Sequence, residues 1–88
     1  MPSTRPRLRL FSRAWCHLCH DMLVALEALR DEPGQVAFEI EVLDVDTDPL
    51  LEQRYDELVP VLADACGNEL CHYFLDAVKV REYLSAFR

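Results

Sequence analysis

The sequence predicts a single α/β domain built on a mixed four-stranded sheet with flanking helices. Three observations carry this. Short apolar runs that alternate every second residue trade places with longer runs of helical period. Their order is strand–helix–strand–helix–strand–strand–helix (βαβαββα), and strand–helix–strand units require right-handed crossovers packed on a sheet. The chain has 88 residues, 51% of them hydrophobic, which suffices for one modest core.

The elements follow in order. Leu8 and Leu10, flanked by Arg7, Arg9 and Phe11, read as a first strand. Residues 12–19 form a loop into a helix predicted over about residues 19–30. Met22, Leu23, Leu26 and Leu29 recur there at helical spacing, with Leu18 one turn ahead. Asp31-Glu32-Pro33-Gly34 stops it, because Pro33 cannot continue a helix and Gly34 tolerates positive φ. Val36, Phe38, Ile40 and Val42 alternate with Ala37, Glu39 and Glu41, the pattern of a half-buried strand. Asp48 is placed to cap a second helix with Pro49 at its first position, and Leu50, Leu51 and Tyr55 are expected on its buried side. Val59-Pro60-Val61-Leu62 opens a third strand. Gly67-Asn68 is a turn, and Leu70 to Phe74 return as a hairpin partner. Asp76 caps a last helix containing Val78, Val80, Tyr83, Leu84 and Phe87.

Charge divides the chain. Residues 1–7 read as a basic, flexible arm and residues 8–88 as the domain. Arg5, Arg7, Arg9 and Arg13 give the first thirteen residues a charge of +4, so with a formal total of −7 residues 14–88 carry −11. An acidic body repels phosphate backbones, so no nucleic-acid partner is expected. No apolar run reaches 18 residues, so no membrane span is expected. The basic start lacks the long apolar segment of a secretory leader, which points to a cytoplasmic protein. A monomer is the expected state.

Four cysteines in a short chain could form a disulfide scaffold, but the reducing compartment and sufficient apolar content favour another use. Cys16 and Cys19 are separated by two residues at a helix start. There the unpaired N–H groups and the helix dipole stabilise a thiolate, and both sulfurs come within reach of each other. Cys16 is therefore the candidate nucleophile and Cys19 the resolving thiol. Arg13, and His17 when protonated, would favour the thiolate, while Asp21 opposes them. A zinc site using Cys16, Cys19 and one of His20, Cys66, Cys71 or His72 is an alternative. Cys16-His17-Leu18-Cys19-His20 also matches the haem-attachment pattern Cys-x-x-Cys-His, but the strand pattern is foreign to small cytochromes. Cys66 and Cys71 read as two free thiols behaving as small apolar residues, with a second redox or metal pair as the other option.

The segments Leu10-Phe11-Ser12-Arg13, Cys16-His17-Leu18-Cys19, Leu43-Asp44-Val45-Asp46, Val59-Pro60-Val61-Leu62 and Glu69-Leu70-Cys71-His72-Tyr73 together resemble the short bacterial glutaredoxin-like proteins of the thioredoxin-fold superfamily. The resemblance implies a thioredoxin-like fold and a thiol–disulfide oxidoreductase acting as an electron-transport carrier. It implies that Pro60 is cis beside the cysteine pair and that the backbone of Val59 pairs with an extended substrate. Read from residues alone, a trans Pro60 opening an edge strand is favoured, since only about 5–6% of X-Pro bonds are cis. Arg13 matches the basic position that greets a glutathione carboxylate, and Trp15 before Cys16 is similar to thioredoxin. Better-known glutaredoxins carry Cys-Pro-Tyr-Cys and a Gly-Gly-Asp element that holds glutathione. Here His17 and Leu18 fill the motif and Gly67 has no glycine neighbour. The expected substrate-contacting residues are Arg13, Trp15, His17, Leu18, Val59 and Pro60. Expected partners are disulfide-containing proteins or low-molecular-weight thiols, with glutathione or a reductase as electron donor. No bound cofactor and no metal are expected. The alternative is a thioredoxin-fold binding module, or a zinc protein, that uses the same cysteines without redox turnover.

Overall fold

A computed structural model describes residues 5–87. Within them the chain forms strands β1 (Arg7–Ser12), β2 (Glu39–Asp44), β3 (Val61–Ala63) and β4 (Glu69–His72), with helices α1 (His17–Arg30), α2 (Pro49–Tyr55) and α3 (Ala77–Ser85). The sheet order is β2-β1-β3-β4. β1 runs parallel to β2, with Leu10 opposite Val42, and antiparallel to β3, with Leu10 opposite Leu62. β3 and β4 are antiparallel, with a register shift between Leu62 and Ala63. This is the mixed four-stranded sheet and element order expected from the sequence.

The period-two alternation of the central strands decides which core each residue joins. Leu8 and Leu10 of β1 and Leu62 of β3 pack with Met22, Leu26 and Leu29 of α1 and with Val80 and Leu84 of α3. Phe11, Val61 and Ala63 point the other way, onto Val45 and Tyr55. The Phe11 and Tyr55 rings stack at 4.2 Å between centroids. α1 and α3 thus cover one face and α2 the other. Removing a fully buried side chain such as Leu26 would cost about 2–5 kcal/mol.

Several boundaries differ from expectation. Residues 1–4 of the expected basic arm lie outside the described residues, and Arg7 already belongs to β1. The Pro6 carbonyl accepts the Glu39 N–H at 2.9 Å, so the first parallel rung lies one residue ahead of the strand. Val36 and Phe38 precede β2 instead of entering it, although Phe38 still reaches the α1/α3 core. Leu50, expected on the buried side of α2, is exposed, and Tyr55 carries that face with partly buried Leu51. Val78 is likewise exposed on α3. The caps are as the sequence suggests: Asp48 accepts from Leu50 N and Asp76 from Lys79 N. Gly34 sits at φ 79°, where only glycine is unstrained.

Candidate functional site

β1 ends at Ser12 and the chain turns through Arg13, Ala14 and Trp15 before α1 begins. Trp15 adopts φ 62°, a left-handed backbone that a bulky residue occupies only where its surroundings require it. Cys16 is the N-cap of α1, with extended φ and ψ, and its Sγ accepts the Cys19 backbone N–H at 3.1 Å. Sulfur here does what a serine or aspartate oxygen usually does at a helix start. Cys19 lies one turn in, joined to Cys16 by a disulfide with the two Cα atoms 5.2 Å apart. Cys19 is buried, whereas Cys16 is half-buried. The two sulfurs therefore differ in access before any chemistry begins.

A groove beside the disulfide is lined by Ser12, Arg13, Trp15, Cys16, His17 and His20, with Leu10, Leu23 and Val42 as its floor. Trp15 stands at its rim, fully exposed. Leu18 points to a second groove on the other side of α1, with Asp21, Met22, Ala25, Tyr73, Phe74 and Leu75. The structure therefore divides the expected contact residues between two sides of the motif.

The Val59–Pro60 peptide bond is cis. Pro60 is buried, and its carbonyl accepts the Tyr73 N–H at 2.8 Å. Tyr73 sits at φ 64° and lines the Leu18 groove, so backbone pairing ties the Pro60 segment to that groove. Val59 is half-buried against the α2-side core.

Arg13 lines the groove and also has partners within the fold. Its guanidinium is held by the chain's own carboxylates, with Nε 3.1 Å from each Asp46 oxygen and Nη2 3.0 Å from Asp56 Oδ1. Hydrogen bonding to Asp46, then to Asp56, raises its pKa. Its charge is thus paired within the fold, while the side chain stays partly exposed at the groove beside Cys16.

The later cysteines are separate. Cys66 is exposed and Cys71 half-buried, and both are free thiols. Burial pushes the Cys71 thiol pKa up, against a lowering hydrogen bond from the Asp76 backbone. Among the described residues no group of three or more His, Cys, Asp or Glu converges as metal ligands would. Nor is any described helix long and apolar enough to cross a membrane.

The sequence gives no warning of Asp64. This aspartate is 7% exposed and lies between β3 and β4. Its Oδ1 accepts from Cys66 N at 2.8 Å and Asn68 N at 3.0 Å, and its Oδ2 accepts from the Asn68 side chain. Burial pushes its pKa up, but the Asn68 backbone and side chain, with Cys66 and Gly67 N–H, outweigh burial and leave it lowered.

The Glutaredoxin-like domain (DUF836) family matches residues 7–85. The chain belongs to this glutaredoxin-like family. Among solved structures it is similar to protein Ne2328 from Nitrosomonas europaea, with 35% identity, 96% of each chain covered and a TM-score of 0.81. It is also similar to protein XcR50 from X. campestris, with 35% identity, 90% of this chain and 96% of that one covered, and a TM-score of 0.69. Thioredoxin from Fasciola hepatica, 23% identical over 98% of this chain and 84% of its own, has a TM-score of 0.58 and shows the shared thioredoxin fold. No curated protein matches the chain.

Proposed function

We propose that this protein is a thiol–disulfide oxidoreductase that cycles the Cys16–Cys19 pair between dithiol and disulfide. One observation carries the reading: the Cys16 sulfur caps α1 and takes the Cys19 N–H, with the second sulfur already bonded to it. In the reduced state the same N–H and the helix dipole favour negative charge on Cys16. The Cys16 thiolate attacks one sulfur of a substrate disulfide. A new S–S bond forms, the substrate S–S bond breaks, and the departing half leaves as a thiolate that solvent protonates. Cys19, giving its proton to solvent, then attacks the Cys16 sulfur and expels the second substrate thiolate. The dithiol has lost two electrons and the substrate has gained them. A thiol donor, glutathione or a flavin reductase, restores the pair by the reverse exchange.

Trp15, His17 and Leu18 surround the nucleophile, and the backbone at Val59, before Pro60, supplies a docking edge for an extended chain. Substrates are disulfide-bearing proteins or small disulfides, and the setting is a reducing one such as the cytoplasm. The test is reduction of a small disulfide with either glutathione or thioredoxin reductase as donor. Turnover with one of them is expected. A protein inactive with both donors, yet binding stoichiometric zinc that Cys16→Ser loses, would overturn the reading in favour of a metal site.

A further inference from the structure

β1 and β2 are parallel and end at Ser12 and Asp44, while β3 is antiparallel to β1 and begins at Val61. Three connections therefore meet at one end of the sheet: the loop before Cys16, the 3₁₀ turn Val45–Thr47, and the 3₁₀ turn Asp56–Leu58 that leads into Val59. One guanidinium joins all three. Arg13 Nε reaches both Asp46 oxygens at 3.1 Å, Nη2 lies 3.1 Å from Asp46 Oδ1 and 3.0 Å from Asp56 Oδ1, and Nη1 donates to the Asp56 carbonyl at 3.3 Å. Asp46 is itself fixed, its N–H bonded to Asp44 Oδ1 at 2.9 Å.

A lone surface ion pair contributes little. This arrangement is different, because one planar fork meets Asp46 through Nε and Nη2, and Asp56 through Nη2 at its carboxylate and Nη1 at its carbonyl. Its geometry therefore sets orientation as well as distance. We propose that Arg13 is a positioning residue that holds the Cys16 loop against the segment entering Val59–Pro60, so that nucleophile and docking edge keep one spacing. The proposal deepens the oxidoreductase reading and rests on it for its effect on substrates.

Charge and position give opposite signatures. Arg13→Ala takes a positive charge from the groove beside Cys16 and leaves two carboxylates without their cation, which raises the thiolate's energy. Asp56→Asn removes one, which lowers it. If charge alone mattered, the two variants would move Cys16 reactivity in opposite directions and nothing else. If position matters, both loosen the Val59 segment in the same direction.

The test has two arms. Backbone order parameters at Glu57, Leu58 and Val59 are measured by NMR in the oxidised full chain, for wild type, Arg13→Ala, Arg13→Lys and Asp56→Asn. Values are expected to fall toward about 0.6 in Arg13→Ala and Asp56→Asn, while Leu26 and Leu62 stay rigid near about 0.85. Arg13→Lys, with its charge but no fork, is expected between them. In the second arm, KM for a polypeptide disulfide is expected to rise several-fold in both Arg13→Ala and Asp56→Asn. Turnover of a small disulfide should follow only the change in Cys16 thiolate fraction. Unchanged order at residues 57–59, or equal effects on both substrates, overturns the proposal. A wild type that reduces neither substrate sinks the oxidoreductase reading, while the NMR arm still decides whether Arg13 holds the loop.

Discussion

Two pairs of cysteines stand in this chain, and only one pair is built to meet. Cys16 and Cys19 straddle the first turn of a helix, where the backbone brings their Cα atoms to 5.2 Å. Cys66 and Cys71 flank a hairpin turn, one exposed and one half-buried, and remain free thiols. The first pair is held by a helix start that offers an N–H to sulfur. The second region is held by Asp64, whose carboxylate collects the N–H groups of the turn. What separates a bonded pair from two free thiols is therefore the backbone around the sulfur, not the count of cysteines.

The largest break in that comparison should come from the first pair. Cys16→Ser is expected to abolish disulfide reduction, and Cys19→Ser to trap mixed disulfides through Cys16, which mass spectrometry would detect. Trapping through Cys66 or Cys71 instead would erase the distinction between the pairs.

Reactivity sharpens it next. In the reduced protein at about pH 6.5, Cys16 is expected to alkylate at least about tenfold faster than Cys71, because helix-start thiolates titrate well below the free-thiol value of about 8.5. Burial of Cys71 pushes the other way. Equal rates at the two sites would show that the helix start does not tune Cys16.

Stability follows. Asp64→Ala should cost about 1–3 kcal/mol in denaturant unfolding, since it leaves buried N–H groups without acceptors. Its lowered pKa fixes the sign of the pH dependence. The contribution is fully present above the unfolded carboxyl value of about 3.9 and is lost as pH falls through the lower folded value. The difference between wild type and Asp64→Ala should therefore shrink in strong acid. A difference that grew there would contradict the assignment.

The smallest effect is expected from Cys66→Ser and Cys71→Ser. Each should retain disulfide reductase activity within about twofold, because neither sulfur enters the exchange. Loss of turnover in either would make the hairpin thiols part of the cycle.

Much of this was legible in the sequence, and for identifiable reasons. Leu8 and Leu10 alternate, Met22, Leu26 and Leu29 recur on one helical stripe, and Asp48-Pro49 and Asp76 mark helix starts, all of which are local signals. The Cys16–Cys19 pairing is local too, because it spans a single turn. What the sequence hid depends on distant neighbours. Arg13 carries a charge that any reader would notice, but its partners lie 33 and 43 residues away and no local pattern names them. Leu50 and Val78 looked like core by spacing, yet α2 and α3 reach the sheet through Tyr55, Val80 and Leu84. Val42 alternates correctly but lies on an edge strand, where it floors a groove and stays half exposed. Asp64 resembled an ordinary loop acid until the turn closed around it.

The order of the sheet also decides which strands stand at its edges. Its two outer strands are β2 and β4, short segments that carry Glu39, Glu41 and Asp44 on one side and Glu69 on the other. An open strand edge is a template for pairing with a neighbour, and charged side chains along it are a common deterrent. On β2, Glu39 and Glu41 pair with Arg7 and Arg9 of the neighbouring strand at 3.5 and 3.3 Å, so that edge carries a ladder of exposed ion pairs. Fibril-like stacking through β2 would have to bury those charges, and removing both pairs, Arg7 with Glu39 and Arg9 with Glu41, is where resistance to it would first give way.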